Sequence, residues 1–266
     1  MKFINAISIL FLSSCSSLFW RDARLLPTLS FSENGKGIAY IQTHYQEKDS
    51  WNPLNGTSLK KNYTTQISLA DIQNDLSLKK NTDLERFSFW ILPQSLFYNE
   101  ARGILAFIQG LDQNEYATPN KTVSIHNIKT KITTDLLKGK SEIKTPLAIA
   151  LSSDASQIAI VSGEVNANGF YEKFQLFILD TMNQSIQASF SLPDWQDSPE
   201  YELGWLKSEA TLSARVKSKL FTLKGKSISE SNFSGSNLAD NPKYAYARVY
   251  KWESKDLELE RIKLEK

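Results

Sequence analysis

The sequence predicts an all-β fold, and three observations carry that expectation. Past residue 20 the chain shows short runs rich in Ile, Val, Phe, Leu and Thr in place of long 3.6-residue apolar stripes. Those runs are separated by clusters of Gly, Pro, Asn, Asp and Ser, the residues that make turns. The same arrangement then recurs along the chain: a hydrophobe or other anchor, a polar turn, and an apolar strand seven residues after the anchor. With 41% hydrophobic and 23% charged residues, the composition is that of an ordinary folded protein.

Four copies of the arrangement are clear and a fifth is weaker. Phe31 leads through Ser32-Glu33-Asn34-Gly35-Lys36 to Ile38-Ala39-Tyr40-Ile41. Tyr98 leads through Asn99-Glu100-Ala101-Arg102 to Leu105-Ala106-Phe107-Ile108, and Leu151 through Ser152-Ser153-Asp154-Ala155 to Ile158-Ala159-Ile160-Val161. Trp205 leads to Leu212-Ser213-Ala214, and Asn237 leads through Asp240-Asn241-Pro242 to Tyr244-Ala245-Tyr246-Ala247. Each copy has a second strand: Gln66–Leu69, Val123–Ile125, Phe174–Leu179, Leu220–Leu223 and Leu257–Leu259. A further strand follows most copies, as at 132–137 and 186–192.

This pattern resembles the repeat of Tol-type and WD-like β-propellers, a strand, an "SPDGK" turn, a strand "IAF" and a strand ending in Asp. Ser32 to Tyr40 is the nearest match and Leu151 to Ile160 the next, while the fourth and fifth copies lack the turn glycine. The resemblance implies a propeller of about five four-stranded blades, degenerate toward the C-terminus. A two-sheet β-sandwich is the alternative. A blade cannot bury both faces alone, so blades stack radially and leave only short edges. Two further expectations follow. A sixth, degenerate blade has room in the 42–94 interval. The last copy has no room for a fourth strand, which the segment from Phe19 to Leu26 would supply, closing the ring.

The N-terminus reads as an address. Met1-Lys2 is a short positive region, Phe3 to Leu12 is apolar apart from Asn5 and Ser8, and Ser13-Ser14-Cys15 follow. The stretch falls short of the roughly 20 residues that span a bilayer. Leu12-Ser13-Ser14-Cys15 resembles the bacterial lipobox. That resemblance implies cleavage before Cys15, a diacylglyceryl group on its thiol, and acylation of its new amino group with fatty acids such as palmitate. Two or more chains anchor a protein stably where one does not. The competing reading is an ordinary secretory signal cut after one of the serines. Residues 1–14 are then signal peptide, 15–26 the lipidated N-terminus and tether or closing strand, and 27–266 the propeller-like domain. Removing 14 of 266 residues leaves 252, and losing Lys2 lowers the charge from +2 to +1. Ser16, where inner-membrane retention favours aspartate, points to the outer membrane.

Composition also excludes. One cysteine rules out a disulfide framework and Cys-rich metal sites, and two histidines cannot build a three-histidine site. A net charge of +2 leaves no electrostatic footprint for nucleic acid. The sequence holds no P-loop, GxGxxG or GxSxG motif. We expect no cofactor and no metal.

Antiparallel order places the loops between second and third strands (b–c) and between blades (d–a) on one face. The long insertions at 42–63, 109–121 and 162–173, with a d–a loop at 192–201, would meet there. They carry His44, Tyr45, Trp51, Tyr63, Tyr116, Phe170, Tyr171, Trp195 and Tyr201. Tyr45, Trp51, Tyr116, Tyr171 and Trp195 are the candidate binding residues, because loops on a rigid scaffold often carry function and aromatics anchor partners. The competing reading is that these rings pin loops to the scaffold. His44 in a loop and His126 at a strand end are weak candidates for catalysis. Asp112, Asn114 and Glu115 offer oxygen ligands without a turn-shaping glycine.

The expected function is non-enzymatic: a membrane-anchored lipoprotein of the cell envelope whose propeller binds a protein partner through its b–c/d–a loop face. One alternative is a propeller hydrolase or lyase using Asp112, Glu115, Asp194 or Asp197. Another is a purely structural envelope lipoprotein.

Overall fold

The computed structural model describes residues 21–24, 28–32, 36–52, 56–74, 77–92, 95–110, 121–192, 201–206, 211–216, 219–224, 227–232, 244–251 and 256–263. Each apolar run that follows a polar turn becomes a strand, and consecutive strands pair antiparallel into sheets that follow one another along the chain. The first sheet holds β1 (Arg21–Arg24), β2 (Thr28–Phe31), β3 (Gly37–Asn52), β4 (Gly56–Ile72) and β5 (Leu78–Phe87). The second is β6 (Phe97–Asn99), β7 (Ile104–Gly110), β8 (Lys121–Asn127) and β9 (Ile132–Asp135), in that order. The third is β10 (Thr145–Leu151), β11 (Gln157–Val165), β12 (Tyr171–Asp180) and β13 (Ile186–Ser191). The fourth is β14 (Tyr201–Leu206), β15 (Thr211–Val216), β16 (Lys219–Lys224) and β17 (Ser227–Asn232). A two-stranded sheet of β18 (Tyr244–Lys251) and β19 (Asp256–Lys263) ends the chain.

The packing of these sheets makes the fold a β-propeller. Successive residues of a strand point to opposite faces, and in the middle blades both faces are buried against a different neighbour. Ile158 and Ile160 of β11 share a core with Ala106 and Ile108 of the second blade. Ala159 and Val161, the alternate residues of the same strand, share another with Leu203 of the fourth. Strand β12 divides the same way, Phe177 and Leu179 to one side and Phe174, Leu176 and Ile178 to the other. Strand β7 sends Ala106 and Ile108 toward the third blade, and Leu105 and Phe107 toward Ala39, Ile41, Ile67 and Leu69 of the first. First strands lie beside one another, β2 against β6 and β10 against β14, so they are the inner strands. Alternating Ala and bulky side chains fit where blades converge. A β-sandwich, with one solvated face per sheet, does not describe this burial.

The turns of the repeat are held by their own side chains. In the first blade the Ser32 N–H donates to the Gly37 carbonyl (2.8 Å), and the Gly37 N–H returns to the Ser32 hydroxyl (2.8 Å). In the third, Ser152 and Gln157 make the same exchange at 2.9 and 3.0 Å. Asp154 accepts from the Ser152 hydroxyl (2.7 Å) and from the Ser156 N–H (3.0 Å). These bonds hold its carboxyl below the usual range, despite the small opposing effect of burial. Neighbouring blades are tied as well: the Tyr98 N–H donates to the Ser30 hydroxyl (3.0 Å), and the Asn99 amide donates to the Ser153 carbonyl (2.7 Å).

Two expectations about the edges of the fold are corrected. The 42–94 interval holds no extra blade among the described residues. It is filled by long extensions of β3 and β4, by β5, and by the segment leading to β6. Nor does the segment near residue 20 complete the last sheet: β1 pairs with β3, Arg21 opposite Glu47 and Arg24 opposite His44. The two halves of the inner edge, β1 and β2, lie end to end along β3, separated in sequence by Leu25-Leu26-Pro27.

Candidate functional site

The b–c end of the propeller carries its largest departures from the repeat. Strand β3 runs 11 residues past Ile41 (41 to 52), and β4 returns in unbroken register from Asn52↔Gly56 to Gly37↔Asp71. The expected loop 42–63 is therefore a two-stranded ribbon. An uninterrupted polar strand is stable there because β1 flanks one edge, opposite residues 44–47, while β5 supports the base of the other up to Thr65↔Phe87. His44 stands in β3 opposite Thr64, on the exposed face, and so is a strand residue instead of a loop residue. Tyr45 is in β3 opposite Tyr63, and Trp51 in β3 opposite Thr57. Tyr63 is buried in β4, so this ring does pin the ribbon to the blade.

The third blade has a shorter projection. The expected loop 162–173 contracts to residues 166–170 between β11 and β12. The Asn166 side-chain carbonyl accepts the N–H groups of Asn168 and Phe170, both at 3.0 Å, and Gly169 takes a φ of 82° to close the turn. At its base Lys173 pairs with Glu164 at 2.7 Å, which lowers the carboxyl's proton affinity. This leaves Phe170, 67% exposed, where the hydrogen-bonded turn closes onto β12. Tyr171 turns inward, half-buried against the core shared by blades three and four. Burial raises its phenol pKa.

Blade two contributes a group that sequence reading passed over. Residues 90–92 run beside β7: the Gly110 N–H donates to the Trp90 carbonyl (3.0 Å), and the Leu92 N–H to the Ile108 carbonyl (2.9 Å). The Trp90 indole covers Gly110 so closely that a Cβ there would lie 1.9 Å from its ring. The Lys121 ammonium sits 6.0 Å from the indole centroid, and burial lowers its pKa. A glycine interrupting an apolar strand is the one sequence signal for such an approach, and it does not say which side chain arrives.

Beside the apolar core shared by blades one and two lie several buried polar groups. Thr43 and Thr65 hydroxyls meet at 3.1 Å, and the Thr65 hydroxyl also donates to the Phe89 carbonyl. The Gln109 Oε1 and Ser124 Oγ atoms are buried without a hydrogen-bond partner among the described residues. His126, 1% exposed, stands edge-on to Phe87 and bonds the Thr133 hydroxyl through Nδ1 at 2.9 Å. Burial lowers its pKa, with Glu85 acting in the opposite sense. It is a buried strand residue of the interface.

Of the candidate residues, Tyr45, Trp51 and Tyr171 lie in strands at the b–c end, while Tyr116, Trp195 and Cys15 lie outside the described residues, as do Asp112, Glu115, Asp194 and Asp197. Among the described residues no group of three or more His, Cys, Asp or Glu side chains is placed to hold a metal ion. No described helix is long and apolar enough to cross a membrane.

No protein-family model matches the chain, and no curated protein matches it. Solved structures with a similar arrangement include β-propellers of low identity. The β-propeller domain of the Trilobed protease from Pyrococcus furiosus is 10% identical, with a TM-score of 0.43 over 86% of this chain and 61% of that one. The α-L-arabinanase of Penicillium chrysogenum is 12% identical, with a TM-score of 0.44 over 90% and 93% of the two chains. The Dos1 propeller is 8% identical, with a TM-score of 0.43 over 83% and 76%. This chain spans about three fifths of the first of these and 38% of an acylaminoacyl peptidase that it also matches.

Proposed function

We propose that this protein is a lipid-anchored, non-enzymatic binding module of the bacterial cell envelope, held through Cys15 and engaging a protein partner with the b–c end of its propeller. The observation that carries the reading is the asymmetry of the two ends. At the a–b end, turns are short and closed by their own Ser, Asn and Asp side chains. At the b–c end the strands outrun the packed core, giving a ribbon on blade one and a rigid turn with exposed Phe170 on blade three. Aromatic groups on preorganised backbone cost little entropy to immobilise and anchor interfaces. Leu12-Ser13-Ser14-Cys15 supports the anchor and Ser16 an outer-membrane location.

Two measurements test the two halves. Metabolic labelling with a fatty acid marks wild type and spares Cys15→Ala; equal label in both ends the anchoring half. A photo-crosslinking residue at Phe170 captures a stoichiometric partner in cells, whereas the same residue at Lys129, in the turn joining β8 to β9 at the opposite end, does not. Capture at neither position ends the binding half.

A further inference from the structure

The N-terminal end of β1 and the free end of the ribbon lie on the same side of the molecule. Strand β1 runs antiparallel to β3, with Arg21 opposite Glu47. The N-terminal end of β1 therefore points in the direction in which β3 grows away from the propeller. Cys15 is six residues before Arg21 (21 − 15), which limits its reach to about 20 Å. Strand β3 continues five residues past Glu47 to Asn52, about 16 Å. A bilayer holding acyl chains on Cys15 thus comes within reach of the ribbon's end.

The sequence of that end suits a lipid surface. Across the paired span from Glu47 to Lys61 it holds Lys48, Lys60 and Lys61 against two acids, Glu47 and Asp49, together with Trp51. Tryptophan settles at the headgroup level, and lysines near a bilayer are attracted by anionic headgroups. We propose that the end of the β3–β4 ribbon seats on the surface of an anionic bilayer and acts as a strut. The inference rests on the anchoring reading above and deepens it. The ribbon runs 11 residues past Ile41, whereas β11 runs four past Val161, the matching repeat position (165 − 161). The difference of seven residues holds the Phe170 turn about 23 Å short of the ribbon's end. The b–c face then looks toward the membrane across a gap of that depth, and its partner is membrane-proximal.

The test uses the acylated protein in vesicles of phosphatidylcholine and phosphatidylglycerol. Acylation blocks the Cys15 sulfur as a thioether, so Asn52→Cys takes an environment-sensitive thiol dye at one site. Asn168→Cys in the Phe170 turn is the comparison. Expected are a blue-shifted emission at 52 and at least about fivefold slower iodide quenching than at 168. Replacing Lys48, Lys60 and Lys61 by Glu removes that protection. Equal quenching at the two sites in protein shown by mass to be acylated overturns the strut and leaves the anchor standing. An unmodified Cys15 overturns both. Protection that persists in the non-acylated Cys15→Ser chain without vesicles marks a protein contact and also overturns it.

Discussion

Gly110→Ala tests the geometry of the b–c end at its tightest point. The added methyl would lie 1.9 Å from Cε2 of Trp90 and 2.2 Å from Cζ2 and Nε1. The indole must retreat by about 1.5 Å to reach ordinary contact. It is 3% exposed, and its backbone is bonded to Gly110 itself, so it has little freedom to move. Overpacking of this kind costs about 1–3 kcal/mol, and displacing the ring from Lys121 adds about 0.5–1 kcal/mol. A loss of about 3 kcal/mol corresponds to a fall in Tm of about 6–12 °C for a chain of this size. Thermal unfolding followed by circular dichroism reads this directly. The double-mutant cycle identifies the cause: in a Trp90→Ala background, Gly110→Ala costs under about 0.5 kcal/mol, since its obstacle is gone. Gly163→Ala, whose nearest neighbours are at 3.2 Å, gives the scale of a mild case. The reasoning is refuted if Gly110→Ala melts with wild type, or if its cost is the same with and without Trp90.

Four further outcomes follow from the packing and the titrating groups. Ile160→Ala and Val161→Ala, adjacent in β11 and buried on opposite faces, each cost about 2–4 kcal/mol; a negligible effect at either in denaturant titration contradicts blade stacking. Ser124→Ala removes a buried hydroxyl that lacks a partner among the described residues and is neutral or stabilising by up to about 1 kcal/mol, whereas a clear loss would show that the hydroxyl is bonded. His126 is buried neutral with a pKa below its unfolded value, so the unfolded chain binds more protons and stability falls as pH drops below about 6.5. Between pH 7.5 and 5.5 the decline in Tm is therefore steeper for wild type than for His126→Gln, and equal slopes would remove His126 from the account. Deleting residues 16–24 removes β1 alone and leaves the blade cores packed, so the loss of stability is small and confined to the ribbon; cooperative collapse of the whole molecule would restore ring closure by this segment.

The blades were legible where burial writes itself into sequence. Leu105–Ile108 and Ile158–Val161 are near-continuous apolar runs because both of their faces are covered, and each follows a turn whose Ser, Asn or Asp closes it. The ribbon escaped the same logic. Thr43 to Thr64 has no sustained apolar alternation, and Pro53, Asn55 and Gly56 mark only a turn. Strand β5, rich in Lys, Asp and Glu, hid for the same reason. The partner of β1 is a choice between two sheet edges far apart in sequence, and no local pattern in Arg21-Asp22-Ala23-Arg24 encodes it. At the site, the role of an aromatic residue depends on its facing. Tyr63 and Tyr171 turn into the scaffold while Phe170, one residue away from Tyr171, turns out.

The proposed anchoring at Cys15 would fix where the molecule sits, which way the b–c face looks and what the ribbon can touch. Mass spectrometry of the N-terminal peptide of the mature protein, recovered from membranes, tests it most directly. The account predicts a peptide that begins at Cys15 and carries a diacylglyceryl thioether with a further acyl group on its α-amine. A mature chain that begins at any other residue, with an unmodified Cys15 thiol or none, contradicts it.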